Sequence, residues 1–340
     1  MPDISLNRLA VPYYDQLTEM ASSIGVTIVK VGEFEVVDAG VKASGSKEAG
    51  VLVSEMCSAG LMNLELGESA FGPFELPTVT VWSDNPALSF FGGVYGDWEI
   101  SLPGLYAVGS GPARGLALPR PLPRGVSDNL AALRQRGYTI RTPQQIFESI
   151  GHEEVSDEAY LLLETSDFPE EEHLKAIASS CRVEPSALHV VVARQSSPTM
   201  AVRLVSSVAE TGLHKMALLG LEPRLVKFAL GKAPIPPVLA GLDDQANGKA
   251  NDAIRFGGIV YYELQRQGLE QLLPMLDRLP PTHPSIRFQA LLASGFYSVD
   301  LGDFAAAKYV LTDGSRVVSS GDLAEEKLIS SFFGVANGRA

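Results

Sequence analysis

Residues 196–216 hold the pattern that most restricts how this chain can fold. Ser197 has the small, oxygen-bearing side chain that suits a helix N-cap. Pro198 fits the first helical turn, where its missing N–H would have no partner anyway. The run that follows is mostly apolar, with Val202, Leu204, Val205, Val208, Ala209, Leu213 and Met216. Arg203, Ser207, Glu210 and His214 interrupt it at spacings of four, three and four, so a single helix would bring them out on one face. A polar stripe on an apolar helix either meets water, with Glu210 and His214 as a solvated pair, or lines a polar pocket. In the second case Glu210 handles a proton beside a cation and an imidazole.

Strand-like and helix-like patterns alternate along the rest of the chain, which indicates an α/β architecture. Hydrophobic periodicity predicts helices over 5–23, 47–60, 145–150, 169–180, 223–230 and 270–279. It predicts strands over 26–31, 34–37, 79–83, 104–108, 159–164, 188–193, 259–264 and 309–312. Residues 88–96 are apolar and glycine-rich. The strand at 104–108 runs into a loop, 109–115, whose backbone N–H groups and Arg114 suit an anion; a tight strand-to-helix connection reads equally well. The loop fits neither the P-loop nor the dinucleotide pattern.

Residues 119–143 differ in character. Pro119, Pro121 and Pro123 exclude helix interior there, and 129–136 reads as one short helix. The segment reads as a surface excursion or lid, with positive charge from Arg120, Arg124, Arg134 and Arg136. The chain then divides into an N-terminal lobe 1–118, the inserted segment 119–143 and a second lobe 144–340.

A length of 340 residues allows more than one lobe. The net charge of −13 argues against nucleic acid or an anionic membrane surface as partner, since both reward clustered Lys and Arg. It leaves room for a cationic small molecule. No apolar run is long enough to span a membrane, and the N-terminus lacks a signal-peptide pattern, so a cytoplasmic protein is expected. Cys57 and Cys181 form neither a disulfide framework nor a zinc-site spacing.

Seven short segments carry a family likeness. They are 37–41, 55–57, 109–114, Glu210 with His214 and Lys215, 233–235, 251–254 with Gly257, and Phe296-Tyr297 with Asp300. In this order along nearly the whole chain they resemble the methenyltetrahydromethanopterin cyclohydrolases. The resemblance implies two α/β lobes around a deep pocket, assembled as a homotrimer, with no metal or cofactor. It implies hydrolysis of a cyclic amidinium, the methenyl bridge of a reduced pterin, to the formyl derivative. A carboxylate serves such chemistry by taking a proton from water and by holding the cationic substrate.

The chain departs from the family where ligand contacts are expected. The family's Glu aligns with Glu210, but its Arg partner aligns with Ser207. Arg203 lies one turn earlier and could replace it from about 6 Å further along the axis. A small Gly-Ser pair reads Met200-Ala201, a Ser-Gln-x-Ala-Gly-Trp segment reads 93–98, and the Lys after Phe-Tyr reads Ser298. The family lacks most of 119–143.

The catalytic candidates are therefore Glu210, Arg203 and His214, the last tuning Glu210. The substrate-binding candidates are Ser207, Asp97 toward a substrate nitrogen, Arg114, Glu164 at a strand end, and Asn251 and Asp252 in a loop. Three functions follow: the family reaction, cyclisation or hydrolysis at an imine or amidine carbon of another substrate, or a binding protein without turnover.

Overall fold

The computed structural model describes residues 4–334, so the first three residues of the N-terminal reading lie outside it. The described chain is mixed α/β, with twelve strands: β1 (Thr27–Val31), β2 (Phe34–Asp38), β3 (Asn63–Phe71), β4 (Phe74–Ser83), β5 (Trp98–Leu102), β6 (Leu105–Ser110), β7 (Ala159–Glu164), β8 (Leu188–Ala193), β9 (Val226–Pro234), β10 (Ile259–Leu264), β11 (Lys308–Thr312) and β12 (Val317–Ser320). They form two six-stranded sheets, ordered β1-β2-β8-β7-β6-β5 and β12-β11-β10-β9-β4-β3. No helix among the described residues is long and apolar enough to cross a membrane.

The chain folds into two compact units that interleave in sequence. One comprises the chain up to Asn63, Ala87–Pro123 and Arg141–Arg203; the other comprises Leu64–Pro86, Arg124–Ile140 and the chain from Leu204 onward. The contiguous lobes expected from the alternation do not coincide with these units. The cause is strand pairing: β4 lies beside β9, with Val81 opposite Gly231, so the segment 64–86 belongs to the second sheet.

In the first unit β2, β8 and β7 run parallel, flanked by antiparallel β1 on one side and β6 and β5 on the other. Leu161, Leu163, Val190 and Val192 pack with Leu174, Ile177 and Cys181 of helix Glu171–Cys181. Side chains alternate along a strand, so Leu162 and Val191 occupy the opposite face, which also is buried. Helices Leu6–Glu19 and Lys47–Cys57 pack against β7. Burial on both faces explains why β7 and β8 read as unbroken apolar runs.

In the second unit, helix Val208–Leu218 packs on β4, β9 and β10, and helix Asp243–Gly257 packs on β9 and on helix Glu325–Phe333. The expected helix over 223–230 is instead a single turn, Pro223–Leu225, leading into β9. Burial along β9 alternates in twos, and β10 and β4 take its two edges. Helix Asp243–Gly257 was not expected. Its buried side mixes Ala246, Ala250, Ala253, Ile254 and Phe256 with the polar Asn247, Asp252 and Arg255, which weakens the hydrophobic signal.

Residues 88–96 form a π-helix over Ala87–Val94. The segment 119–143 is anchored and is not a surface excursion throughout. The Arg120 side chain is 8% exposed in the first unit, and Val126, Leu133 and Tyr138 are buried in the second.

Candidate functional site

The polar stripe does not lie on one unbroken helix. Helix Pro198–Ser206 ends and helix Val208–Leu218 begins with Ser207 between them. The Ser207 hydroxyl donates to the Leu204 carbonyl at 2.6 Å, and its N–H donates to the same carbonyl at 3.3 Å. That three-residue reach tightens the turn, as hydroxyl back-bonding does in helices. Arg203 is 2% exposed and Glu210 7%, so neither belongs to a solvated face; Ser207 and His214 are partly exposed.

The backbone around Glu210 is held close to the second sheet. A Cβ on Gly212 would collide with the Tyr262 hydroxyl, and one on Gly231 would lie 2.8 Å from the Val208 side chain. The Tyr262 hydroxyl donates to the Ala209 carbonyl at 2.6 Å. Burial pushes the Tyr262 phenol well up, with the charges of Tyr309 and Glu210 adding to it. Glycine at 212 and 231 thus lets the helix seat closely on β9 and β10, and this fixes where Glu210 stands.

In the first unit, Arg203 joins a second group of side chains. Its Nη2 donates to the Val94 carbonyl at 2.7 Å and to the Ser110 hydroxyl at 3.1 Å. Ser110 Oγ lies 3.9 Å from the buried Cys57 Sγ. Glu164, partly exposed at the end of β7, has its carboxyl pushed up by burial, against the opposing charge of Arg203. Burial likewise raises the Cys57 thiol, while Arg203 and Ser110 act to lower it.

Asp97 and Arg114 meet each other in a buried ion cluster. Arg114 Nε donates to Asp97 Oδ1 at 2.6 Å and Arg114 Nη1 to the Phe91 carbonyl at 3.1 Å. Arg120 Nη2 reaches the same Asp97 oxygen at 2.9 Å, and Nη1 donates to the Arg114 carbonyl. Burial alone would raise the Asp97 carboxyl, but the two guanidiniums outweigh it and hold it low.

Asn251 and Asp252 lie within helix Asp243–Gly257, not in a loop. Asn251 Nδ2 donates to the Asn247 carbonyl and side-chain oxygens at 3.1 and 2.7 Å. Asp252 accepts from the Phe288 N–H and the Ser331 hydroxyl, both at 2.8 Å, and from Arg255 at 3.3 Å. Arg255 also pairs with Asp303 at 3.0 Å. His283, Asp300 and Asp303 place ligand atoms within 4.8 Å of one another. Their charges are answered by protein groups: Asp303 takes Arg255 and His283, and Asp300 lies 2.7 Å from Arg136.

The family profile described as Cyclohydrolase (MCH) matches residues 5–124 and 136–332. The chain belongs to that cyclohydrolase family. It is 29% identical to the methenyltetrahydromethanopterin cyclohydrolase of Methanosarcina barkeri, with 98% of this chain and 99% of that protein covered. It is 32% identical to the enzyme of that name from Methanothermobacter marburgensis, over 97% of this chain and 99% of the relative. The enzyme of the same name from Methanocaldococcus jannaschii is 29% identical over 91% of this chain and 92% of its own length.

The family match passes over 125–135 alone and covers 119–124 and 136–143, so the family does not lack most of the segment read as inserted. Val94 receives Arg203, and Asp97 receives Arg114 and Arg120. Ser110, Arg120, Lys215 and Asp300 were not singled out as site residues. Ser110, Lys215 and Asp300 stand in the shared segments, which was their only signal; Arg120 gave none beyond its charge.

Proposed function

We propose that this chain is a cyclohydrolase acting on the methenyl bridge of a reduced pterin. Water adds to the electron-poor amidinium carbon, a ring C–N bond opens, and the formyl derivative leaves. The observation that carries this reading is the near end-to-end family match; the resemblance puts the family's acid at Glu210, which is buried. Glu210 takes the proton of the attacking water, and its negative charge favours the cationic ring. A homotrimer in the cytoplasm belongs to the same reading, and mass photometry checks the assembly.

The test is purified protein with methenyl-tetrahydromethanopterin, followed by loss of the amidinium absorbance. Glu210→Gln keeps the shape and removes the charge. It lowers kcat by about two to four orders of magnitude, the usual worth of a positioned acid–base group. A variant at near-native rate removes Glu210 from the mechanism. Ser207, where the family carries arginine, favours a second reading: the same fold and chemistry at an imine or amidine carbon of a different substrate.

A further inference from the structure

Tyr138 in the second unit is 7% exposed, and three cations surround its ring. The guanidinium carbons of Arg136 and Arg278 lie 5.5 Å from the ring centre, and the Lys215 ammonium lies 5.8 Å from it. An aromatic face attracts one cation readily, but three crowded cations repel one another. Their direct partners are few. Arg136 pairs with Asp300 at 2.7 Å. Lys215 donates to the Gly302 carbonyl at 2.6 Å, and Arg278 donates to the Arg136 carbonyl at 2.8 Å. Among the described residues neither Lys215 nor Arg278 makes an ion pair. Asp303, whose charge also acts on Lys215, is already held by Arg255 and His283. Positive charge is therefore concentrated here on a chain whose net charge is −13.

We propose that Arg136, Tyr138, Lys215 and Arg278 form an anion-acceptor subsite that takes a phosphate or carboxylate group. The exposed guanidinium of Arg136 and that of half-buried Arg278 contact the anion, and buried Lys215 adds charge from beneath. Arg136, Tyr138, Lys215 and Arg278 all lie in the second stretch of the family match, 136–332, and Arg136 opens it directly after 125–135, which the match passes over. As a substrate subsite it rests on the cyclohydrolase reading; as an anion site it does not.

Burial pushes Lys215 down to about 8, against the opposing charges of Asp300 and Asp303 and with the help of Arg278 and Arg136. A bound anion favours the charged ammonium, so anion affinity falls as pH rises through that value.

Sulfate is the probe, because its charge does not change over this range. It is titrated calorimetrically at low ionic strength into the wild-type protein, Arg278→Gln and Arg136→Gln, with thermal melting as the check on folding. Saturable binding weakened about tenfold or more in each folded variant supports the site, the scale of one lost charge-assisted hydrogen bond. Equal affinity in all three proteins, or no saturable binding to the wild type, overturns it. Sulfate that raises KM for the methenyl substrate without changing kcat assigns the anion to the substrate; saturable binding without competition assigns a free anion. Absence of turnover leaves the sulfate titration intact, so the two readings fail separately.

Discussion

Replacing Asp252 by alanine separates a structural carboxylate from a ligand-binding one. Asp252 is 1% exposed and holds three elements together. It accepts from the Phe288 N–H at the start of helix Phe288–Leu291 and from Ser331 on helix Glu325–Phe333, both at 2.8 Å. Its contact with Arg255 is longer, at 3.3 Å, and Arg255 keeps Asp303 at 3.0 Å when Asp252 is gone. Two short hydrogen bonds to a carboxylate at about 1.5–3 kcal/mol each suggest about 3–6 kcal/mol. Breaking a buried charge pair costs about 3–5 kcal/mol, and the surviving Arg255–Asp303 pair places this case at the lower end. The expected loss is about 3–4 kcal/mol, a large share of the roughly 5–15 kcal/mol that a folded protein commands. Urea unfolding followed by circular dichroism measures it. Asp252→Asn keeps an acceptor for Phe288 and loses about half as much. Unchanged stability in Asp252→Ala together with a raised KM refutes this reasoning and gives Asp252 a place at the substrate.

Two other residues yield separate expectations. Glu154 accepts from Ser5 Oγ at 2.6 Å, from the Leu6 and Asn7 N–H groups at 2.9 and 3.2 Å, and from Asn7 Nδ2 at 3.0 Å; His152 lies 2.6 Å away. Burial raises its carboxyl, but the bonds from His152, Ser5, Leu6 and Asn7 outweigh burial and lower it. Its stabilisation is therefore fully present above about pH 4.5 and is lost as pH falls through the lower folded value. Glu154→Gln costs about 1.5–3 kcal/mol at neutral pH and removes that part of the acid dependence, read from urea midpoints across pH. Ser207→Arg places a guanidinium where the resemblance puts the family's arginine: if turnover of the methenyl substrate is slow, kcat/KM rises by about 10–100-fold, the worth of one charge-assisted contact. No gain in steady-state assays favours a different substrate.

Much of the local structure was legible before any coordinates. The strands over Ala159–Glu164, Leu188–Ala193 and Ile259–Leu264 fall where the apolar runs placed them. The α/β alternation and the family likeness were legible for the same reason: short-range patterns and ordered motifs are written in neighbouring residues. That Arg203 and Glu210 are buried was not, because exposure depends on what packs against a face.

Pairing over long separations lay beyond the sequence. Nothing local to Val81 specifies Gly231 as its neighbour, so the interleaving of the two units emerges only when β4 joins β9. Residues 223–230 could not be told from a helix until β10 and β4 took the two edges of β9. The same holds for charge. Asp97 reads as a carboxylate available to a substrate until Arg114 and Arg120 are seen on it, and Arg136 reads as surface charge until Tyr138 gathers Lys215 and Arg278 around the same ring. By itself the sequence determined the family and the type of the strongly periodic elements, because backbone propensity and hydrophobic period act over a few residues. Tertiary structure alone decided which charges are neutralised and which are left concentrated, because that balance is struck between side chains far apart in the chain and close in space.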